Sequence, residues 1–426
     1  MRLGSISIIV IAVVCTAAAQ AAPLQIVQLA DSQPASTLEL RAEIHAAVHD
    51  ELATATLARV ELPLPGREAV TLEMTASRLD GAGTRFIVVD EKGEREVPAP
   101  AFRSFKGRVA GEPDSRVVLN LFEGTASGFV RIGEDEFSVA PVDLGSGTEL
   151  AIRAAEADPD QPDQPFCPAE LPDRPDAPDV PQPAFGGEPP IDGNTVLTAQ
   201  VAIDATYQWY EHFVSLEAAQ SYIMNLMAQV STIYEDEVNV EIAVPYLRVF
   251  TTPDDPYTDT TSTGTLLGDL RSEWNANQTG VDRTVAHLFS RRSSGGAGIA
   301  YIDVLCSSDQ QPGNSYDYGV TTLSANGGSW ERRLVAHELG HNFASPHTHC
   351  YSPPIDTCAN ESGCYEGPTS QTVGTIMSYC SSATAVFHAR VESETVRPAA
   401  EQAYPTCMSL SVPPESPLPP QGLYPF

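Results

Sequence analysis

Lysine is almost missing from these 426 residues: Lys92 and Lys106 are the only two, and every other basic side chain is an arginine. Basic residues total 24 against 56 acidic ones, a formal net charge of −32. A chain this acidic repels phosphate backbones and anionic lipid, which excludes nucleic acid as a default partner. Past residue 22 no stretch offers the roughly 20 uncharged apolar residues that a spanning helix needs, so membrane insertion is not expected. There is no C-x-x-C pair to hold a structural zinc and no EF-hand-type loop; calcium on the acidic surface has no motif behind it. Residues 155–190 contain no Arg-x-Arg/Lys-Arg sequence.

The start of the chain carries Arg2, an apolar run over 6–14, and small residues through Ala21-Ala22. That is the layout of a secretory signal peptide, 1–22, and it predicts a secreted or periplasmic protein. Val14 before Cys15 is bulkier than a lipoprotein cleavage site favours. With 42% apolar residues the chain can bury cores, and its length suggests two or three domains.

Residues 23–154 read as mostly β, with short apolar runs such as Phe86-Ile87-Val88-Val89 between Gly/Asp/Pro turns and no chemistry-bearing motif. Residues 155–190 hold eleven prolines among acidic residues, an extended linker. From 191 to 411 strands and helices alternate: strands at 196–203, 238–250, 285–289 and 299–305, helices at 216–235, 264–276 and 329–343. In the first helix Ala219, Ile223, Leu226 and Val230 form one apolar stripe, and Ser329 is placed to cap the last. This order predicts an α/β domain around a twisted, largely parallel sheet. Residues 412–426 are a Pro-rich tail.

Behind the leader stand seven cysteines, six of them beyond residue 300. Six allow three disulfides in fifteen pairings, which the sequence cannot choose between. Cys167 is left over, inside the linker.

The informative stretch is His337-Glu338-Leu339-Gly340-His341-Asn342-Phe343-Ala344-Ser345-Pro346-His347. Positions i and i+4 share a helix face, so His337 and His341 can bind one metal ion, while Glu338, about 100° round, can reach a metal-bound water without coordinating the metal. Pro346 should turn the chain and return His347 as a third ligand, leaving one tetrahedral position open, as in catalytic zinc sites. His349 competes for that role but reads as a surface or supporting residue. His45, His49, His212, His287 and His388 fit no ligand spacing and read as structural.

These residues resemble the metzincin zinc endopeptidases, most closely the reprolysin or adamalysin-like branch and its bacterial relatives. The family pattern HExxHxxGxxH is matched except at Ala344, where the family has glycine in a left-handed turn. Gly374-Thr375-Ile376-Met377-Ser378-Tyr379-Cys380 is similar to the family's Met-turn, and Gly298-Ile299-Ala300-Tyr301-Ile302 falls where the family has its substrate-binding edge strand. The resemblance implies a zincin-like α+β catalytic domain with a twisted mixed five-stranded sheet, an active-site helix and a preceding β-rich pro-domain. It implies one Zn²⁺ on His337, His341 and His347, Glu338 as the general base, and Met377 as an apolar floor. Tyr379 sits where two other metzincin branches place a tyrosine that contacts zinc or the tetrahedral intermediate.

Parity and position suggest Cys167 as a fourth zinc ligand in the latent form, as in the cysteine switch of some pro-metzincins; a disulfide and an incidental thiol are the alternative readings. The expectation is a secreted monomeric zymogen of a zinc endopeptidase acting on proteins or peptides. The alternative is a catalytically inactive relative serving as a binding or adhesion module, and the intact Glu338 speaks against it.

Overall fold

The computed structural model describes residues 34–36, 39–43, 52, 54–77, 79, 83–141, 149–154, 192–257, 262–291, 297–325 and 328–411. The expected leader, the linker with Cys167, the 412–426 tail, and His45 and His49 lie outside them.

Strands β1 (Pro34–Ser36), β2 (Glu39–Glu43), β3 (Leu57–Leu62) and β4 (Val70–Ala76) are followed by a hairpin, β5 (Arg85–Asp90) and β6 (Gly93–Val97). Then come β7 (Phe102–Val109), β8 (Glu112–Phe122), β9 (Thr125–Ile132), β10 (Asp135–Pro141) and β11 (Glu149–Ala154). Nine of these strands form one antiparallel sheet in the order β1-β2-β11-β10-β9-β8-β7-β4-β3. Alternation is plain in β3, whose Ala58, Val60 and Leu62 turn inward onto Leu72, Phe105, Leu119 and Phe137.

The second half contributes β12 (Leu197–Ala205), helix α1 (Leu216–Val238), β13 (Val240–Ala243), β14 (Tyr246–Phe250), helix α2 (Thr263–Asn277), β15 (Val285–Arg291), β16 (Ala297–Ala300), β17 (Tyr318–Leu323) and helix α3 (Ser329–Asn342). The five-stranded sheet expected here is instead part of a nine-stranded one. Its main path is β16-β17-β15-β12-β14-β5-β6, and β13 and Ser409–Leu410 also pair with β12. From β17 across to β5 every neighbour is parallel; β16 and β6 run antiparallel at the two edges. The β5–β6 hairpin, read from sequence as internal to the N-terminal region, thus extends the sheet beyond β14. Its run Phe86-Ile87-Val88 is buried, as a strand with neighbours on both sides requires.

Other differences are local. The strand expected over 238–250 splits in two at Pro245, which has no N–H for a ladder. β17 was not anticipated. Gly328, not Ser329, holds the cap position of α3. Helix α1, expected to bury one stripe, is buried nearly all round. Its apolar side faces α3 and the sheet, and its polar side faces β7, β8 and β9. No helix among the described residues is long and apolar enough to cross a membrane.

Candidate active site

Helix α3 is wholly buried, which is unusual for a segment carrying Glu331, Arg332, Arg333, His337, Glu338 and His341. His337 and His341 point the same way from successive turns, with their Nε2 atoms 3.1 Å apart. At the helix end Ala344 takes φ +69°, the left-handed conformation that glycine tolerates best. Its N–H donates to His341 O (2.9 Å) and that of Ser345 to Gly340 O (2.9 Å), so the chain reverses. His347 is thereby returned to the other two histidines, and one ligand atom from each of the three lies within 4.8 Å of the others.

The imidazole tautomers follow from their partners. His337 Nδ1 faces Ile376 O and His341 Nδ1 faces Ser345 O, each at 2.7 Å. A carbonyl can only accept, so both Nδ1 atoms are donors and both Nε2 atoms carry lone pairs. Burial holds His341 down to about 4 and His337 well below the ordinary range, so neither ring is doubly protonated near neutral pH. Two lone pairs facing each other at 3.1 Å repel unless a cation lies between them. His347 Nε2 is also buried, with no hydrogen-bond partner among the described residues. This donor set fits a zinc ion, with neutral imidazoles aimed inward and their outer nitrogens held by oxygen.

Glu338 is fully buried, and neither carboxylate oxygen has a partner among the described residues; burial pushes its carboxyl well above the usual range. It lies against the edge strand β16. A Cβ at Gly298 would come within 2.2 Å of Glu338 Oε1, so a side chain there would push the carboxyl out of its position. Asn342 ties the same helix to the sheet by donating to Tyr301 O and Tyr318 O, both at 3.0 Å.

Met377 is buried, and a Cβ at Gly340 would lie 2.5 Å from its Sδ, so the missing side chain lets the methionine in beneath the helix. Its carbonyl accepts from the Thr348 N–H (3.0 Å), and Ser378 Oγ donates to Asp356 Oδ2 (2.7 Å), fixing the turn. The Tyr379 ring centroid is 4.3 Å from that of His347 and 6.3 Å from that of His337.

Sequence reasoning missed Glu361. Its Oε2 accepts from His347 Nδ1 (3.2 Å) and from His349 Nε2 (2.9 Å), and both rings are fully buried. His349 is therefore a buried support and not a surface residue. The Cys350–Cys364 disulfide closes the loop that returns Glu361 to these rings; Cys358–Cys380 and Cys306–Cys407 complete three bridges. Among the other histidines, His287 is buried with Nε2 2.7 Å from Thr321 Oγ1 and held at about 3, His212 is half-buried, and His388 Nδ1 accepts from the Arg390 N–H.

The sequence model of the M12 metallopeptidase family, Reprolysin_5, matches residues 196–388. A disintegrin and metalloproteinase domain-containing protein B from Aspergillus fumigatus is 27% identical over 168 residues, 36% of this chain. The match spans about a fifth (21%) of that relative's length. The crystal structure of metalloproteinase-II from Bacteroides fragilis overlaps with a TM-score of 0.39 at 15% identity, over 71% of this chain and 84% of that one. The family match falls on the segment that holds the three histidines, Glu338 and the turn at Met377, so residues 196–388 of this chain are similar to a reprolysin-like metallopeptidase domain.

Proposed function

We propose that the protein is a secreted zinc endopeptidase made as a precursor, with His337, His341 and His347 as metal ligands. The observation that carries this reading is the buried Glu338 carboxyl, without a partner among the described residues, on the helix that carries two of three imidazoles whose lone pairs face inward. Bound there, zinc would supply a water acidic enough to ionise near pH 7 and a charge to polarise the scissile carbonyl. Glu338 takes the proton of the attacking water on its carboxylate and returns it to the departing amine. The outer edge of β16 offers main-chain groups to an extended peptide, an arrangement that gives affinity with little sequence preference. Tyr379, whose ring packs on that of His347, would steady the developing negative charge, and Met377 would keep the ground beneath the histidines apolar. In the precursor, Cys167 is the proposed occupant of the fourth metal position.

The test is cleavage of an unfolded protein substrate by the zinc-loaded enzyme, with and without a chelator. Glu338→Gln should keep one equivalent of zinc and lose about 10²- to 10⁴-fold in activity. Normal zinc with unimpaired cleavage in Glu338→Gln would sink the mechanism. Zinc without cleavage in the wild type after a cut within 155–190 would point to the inactive binding module.

A further inference from the structure

The N-terminal module grips the metallopeptidase domain in three places. At the sheet, β5 lies parallel to β14 over Arg85–Val89 and Tyr246–Phe250. The Arg85 N–H donates to Pro245 O and the Thr251 N–H to Val89 O, both at 2.9 Å, and Thr84 Oγ1 donates to Val244 O at 2.6 Å. In the core, Leu79, Phe86, Phe102 and Phe122 join the same apolar cluster as α1 and α3. The third contact is the polar side of α1. Asn120 Nδ2 donates to Asn225 Oδ1 (2.8 Å), and Asn225 Nδ2 donates to Ser127 Oγ (3.2 Å).

Charge is arranged on this third contact in register. Glu235, Asp236 and Glu237 are consecutive, near the C-terminal end of α1, where the helix dipole disfavours anions. Each has a base opposite it on a successive strand: Lys106 of β7 on Glu235, Arg116 of β8 on Asp236 and Arg131 of β9 on Glu237. Arg332 of α3 reaches the other way, to Glu136 of β10. These pairs are half-buried or deeper, so salt screens them only in part. In a chain with 24 bases against 56 acids, three bases meeting three adjacent acids make a specific seam.

We propose that the N-terminal module is a lasting subunit of the enzyme: a cut within 155–190 frees the linker but leaves residues 57–141 bound non-covalently to the metallopeptidase domain. Removing the module would strip β14 of its outer neighbour, leaving an open parallel edge. It would expose apolar side chains of the shared core and leave three adjacent carboxylates at a helix C-terminus without counter-charge. The inference rests on these contacts and is independent of the catalytic reading.

The experiment installs a site for a sequence-specific protease within 155–190 of the full chain, in the Glu338→Gln background so that self-digestion plays no part. After cutting, the two fragments should elute together on size exclusion at about 0.1 M salt, with the dissociation constant rising at 1 M salt. Arg116→Asp should weaken the association about five- to tenfold, and adding Asp236→Arg should restore it. Two separate peaks at low salt, with the C-terminal fragment still folded by circular dichroism, would overturn the proposal. So would a double charge swap that binds no better than Arg116→Asp alone. If that variant does not fold, the wild-type salt series still decides.

Discussion

In the N-terminal sheet, strands adjacent in sequence are mostly adjacent in space, and the buried polar groups are hydroxyls and one amide, on Ser104, Ser115, Asn120, Thr125, Ser127 and Ser138. In the second sheet the order is scrambled by crossovers, and every buried charged or imidazole side chain among the described residues lies beyond residue 200. Burying such groups is expensive unless they are paired. The metallopeptidase half contains two kinds. Asp204 is fully satisfied: Arg248 donates Nε to Oδ1 (2.9 Å) and Nη2 to Oδ2 (2.6 Å), Trp274 Nε1 donates to Oδ2 (2.9 Å), and the Tyr257 hydroxyl also donates to it. Glu338 and His347 Nε2 are left without partners among the described residues. The paired set ties strands and a helix together, whereas the unpaired set is poised for something that binds.

Substitutions can separate the two kinds. Glu338→Gln, whose activity loss is the largest effect expected, should leave the denaturant midpoint unchanged or raise it, because it replaces a buried carboxyl that has no partner among the described residues, and whose ionisation burial opposes, with a neutral amide of the same shape. Asp204→Asn should do the reverse, lowering stability by about 3 kcal/mol, since Arg248 then keeps only Glu273 (3.2 Å) and Glu94 (3.4 Å) as anions. Zinc content in Asp204→Asn should stay at one per chain. Loss of zinc with no loss of stability would show that the network serves the histidines and not the sheet.

Glu361 lies between the kinds, an anion held by two buried histidines one of which faces the metal position. Glu361→Ala should weaken zinc binding about 10- to 100-fold, read by competition with a chelating dye, with little change in the unfolding midpoint of the zinc-free protein. An unchanged zinc affinity would mean that His347 is oriented by its backbone alone.

The next effect is smaller. Ala344 sits at φ +69°, where alanine costs on the order of 1 kcal/mol relative to glycine, partly offset by the extra freedom glycine gives the unfolded chain. Ala344→Gly should therefore be neutral to about 1 kcal/mol more stable by thermal or chemical unfolding. A clear loss of stability would mean that the alanine methyl packs in a way that outweighs the strain.

How much of this was legible varied with sequence distance. The His337–His341 pair and Glu338 could be read because helical periodicity alone sets their directions, and Ala344 because a motif marked the turn. The N-terminal β character and the Phe86-Ile87-Val88-Val89 strand were equally local. Which sheet that strand joins depends on pairing with Tyr246–Phe250, some 160 residues away, and no periodicity reports it. β17, Tyr-Gly-Val-Thr-Thr-Leu, escaped notice because all six residues are buried and it has no alternation to detect. The polar side of α1 reads as solvent-facing until Asn120, Ser127 and Lys106 are found against it. Glu361 was out of reach because a loop and the Cys350–Cys364 bridge, whose pairing cysteine parity cannot give, bring it to His347.

The smallest effect reports on the seam between the two halves. Glu392 lies beside Glu237, which Arg131 of the N-terminal sheet holds at 3.2 Å, with Asp236 and its partner Arg116 next along. Burial, then the charge of Glu237 and a hydrogen bond to it, push the Glu392 carboxyl up from 4.5 to about 7. Below pH 4 Glu392 is protonated whether the chain is folded or not, and it contributes no pH dependence. Between 4.5 and 7 the unfolded chain ionises it while the folded one retains the proton, so stability falls as pH rises through that window and stays lower above it. Glu392→Gln supplies the amide donor permanently. It should raise the unfolding midpoint modestly at pH 8 and leave it nearly unchanged at pH 4, a modest effect because the side chain is only half-buried. Equal midpoints for variant and wild type at pH 8 would show that Arg131 neutralises Glu237 so fully that its neighbour never feels it.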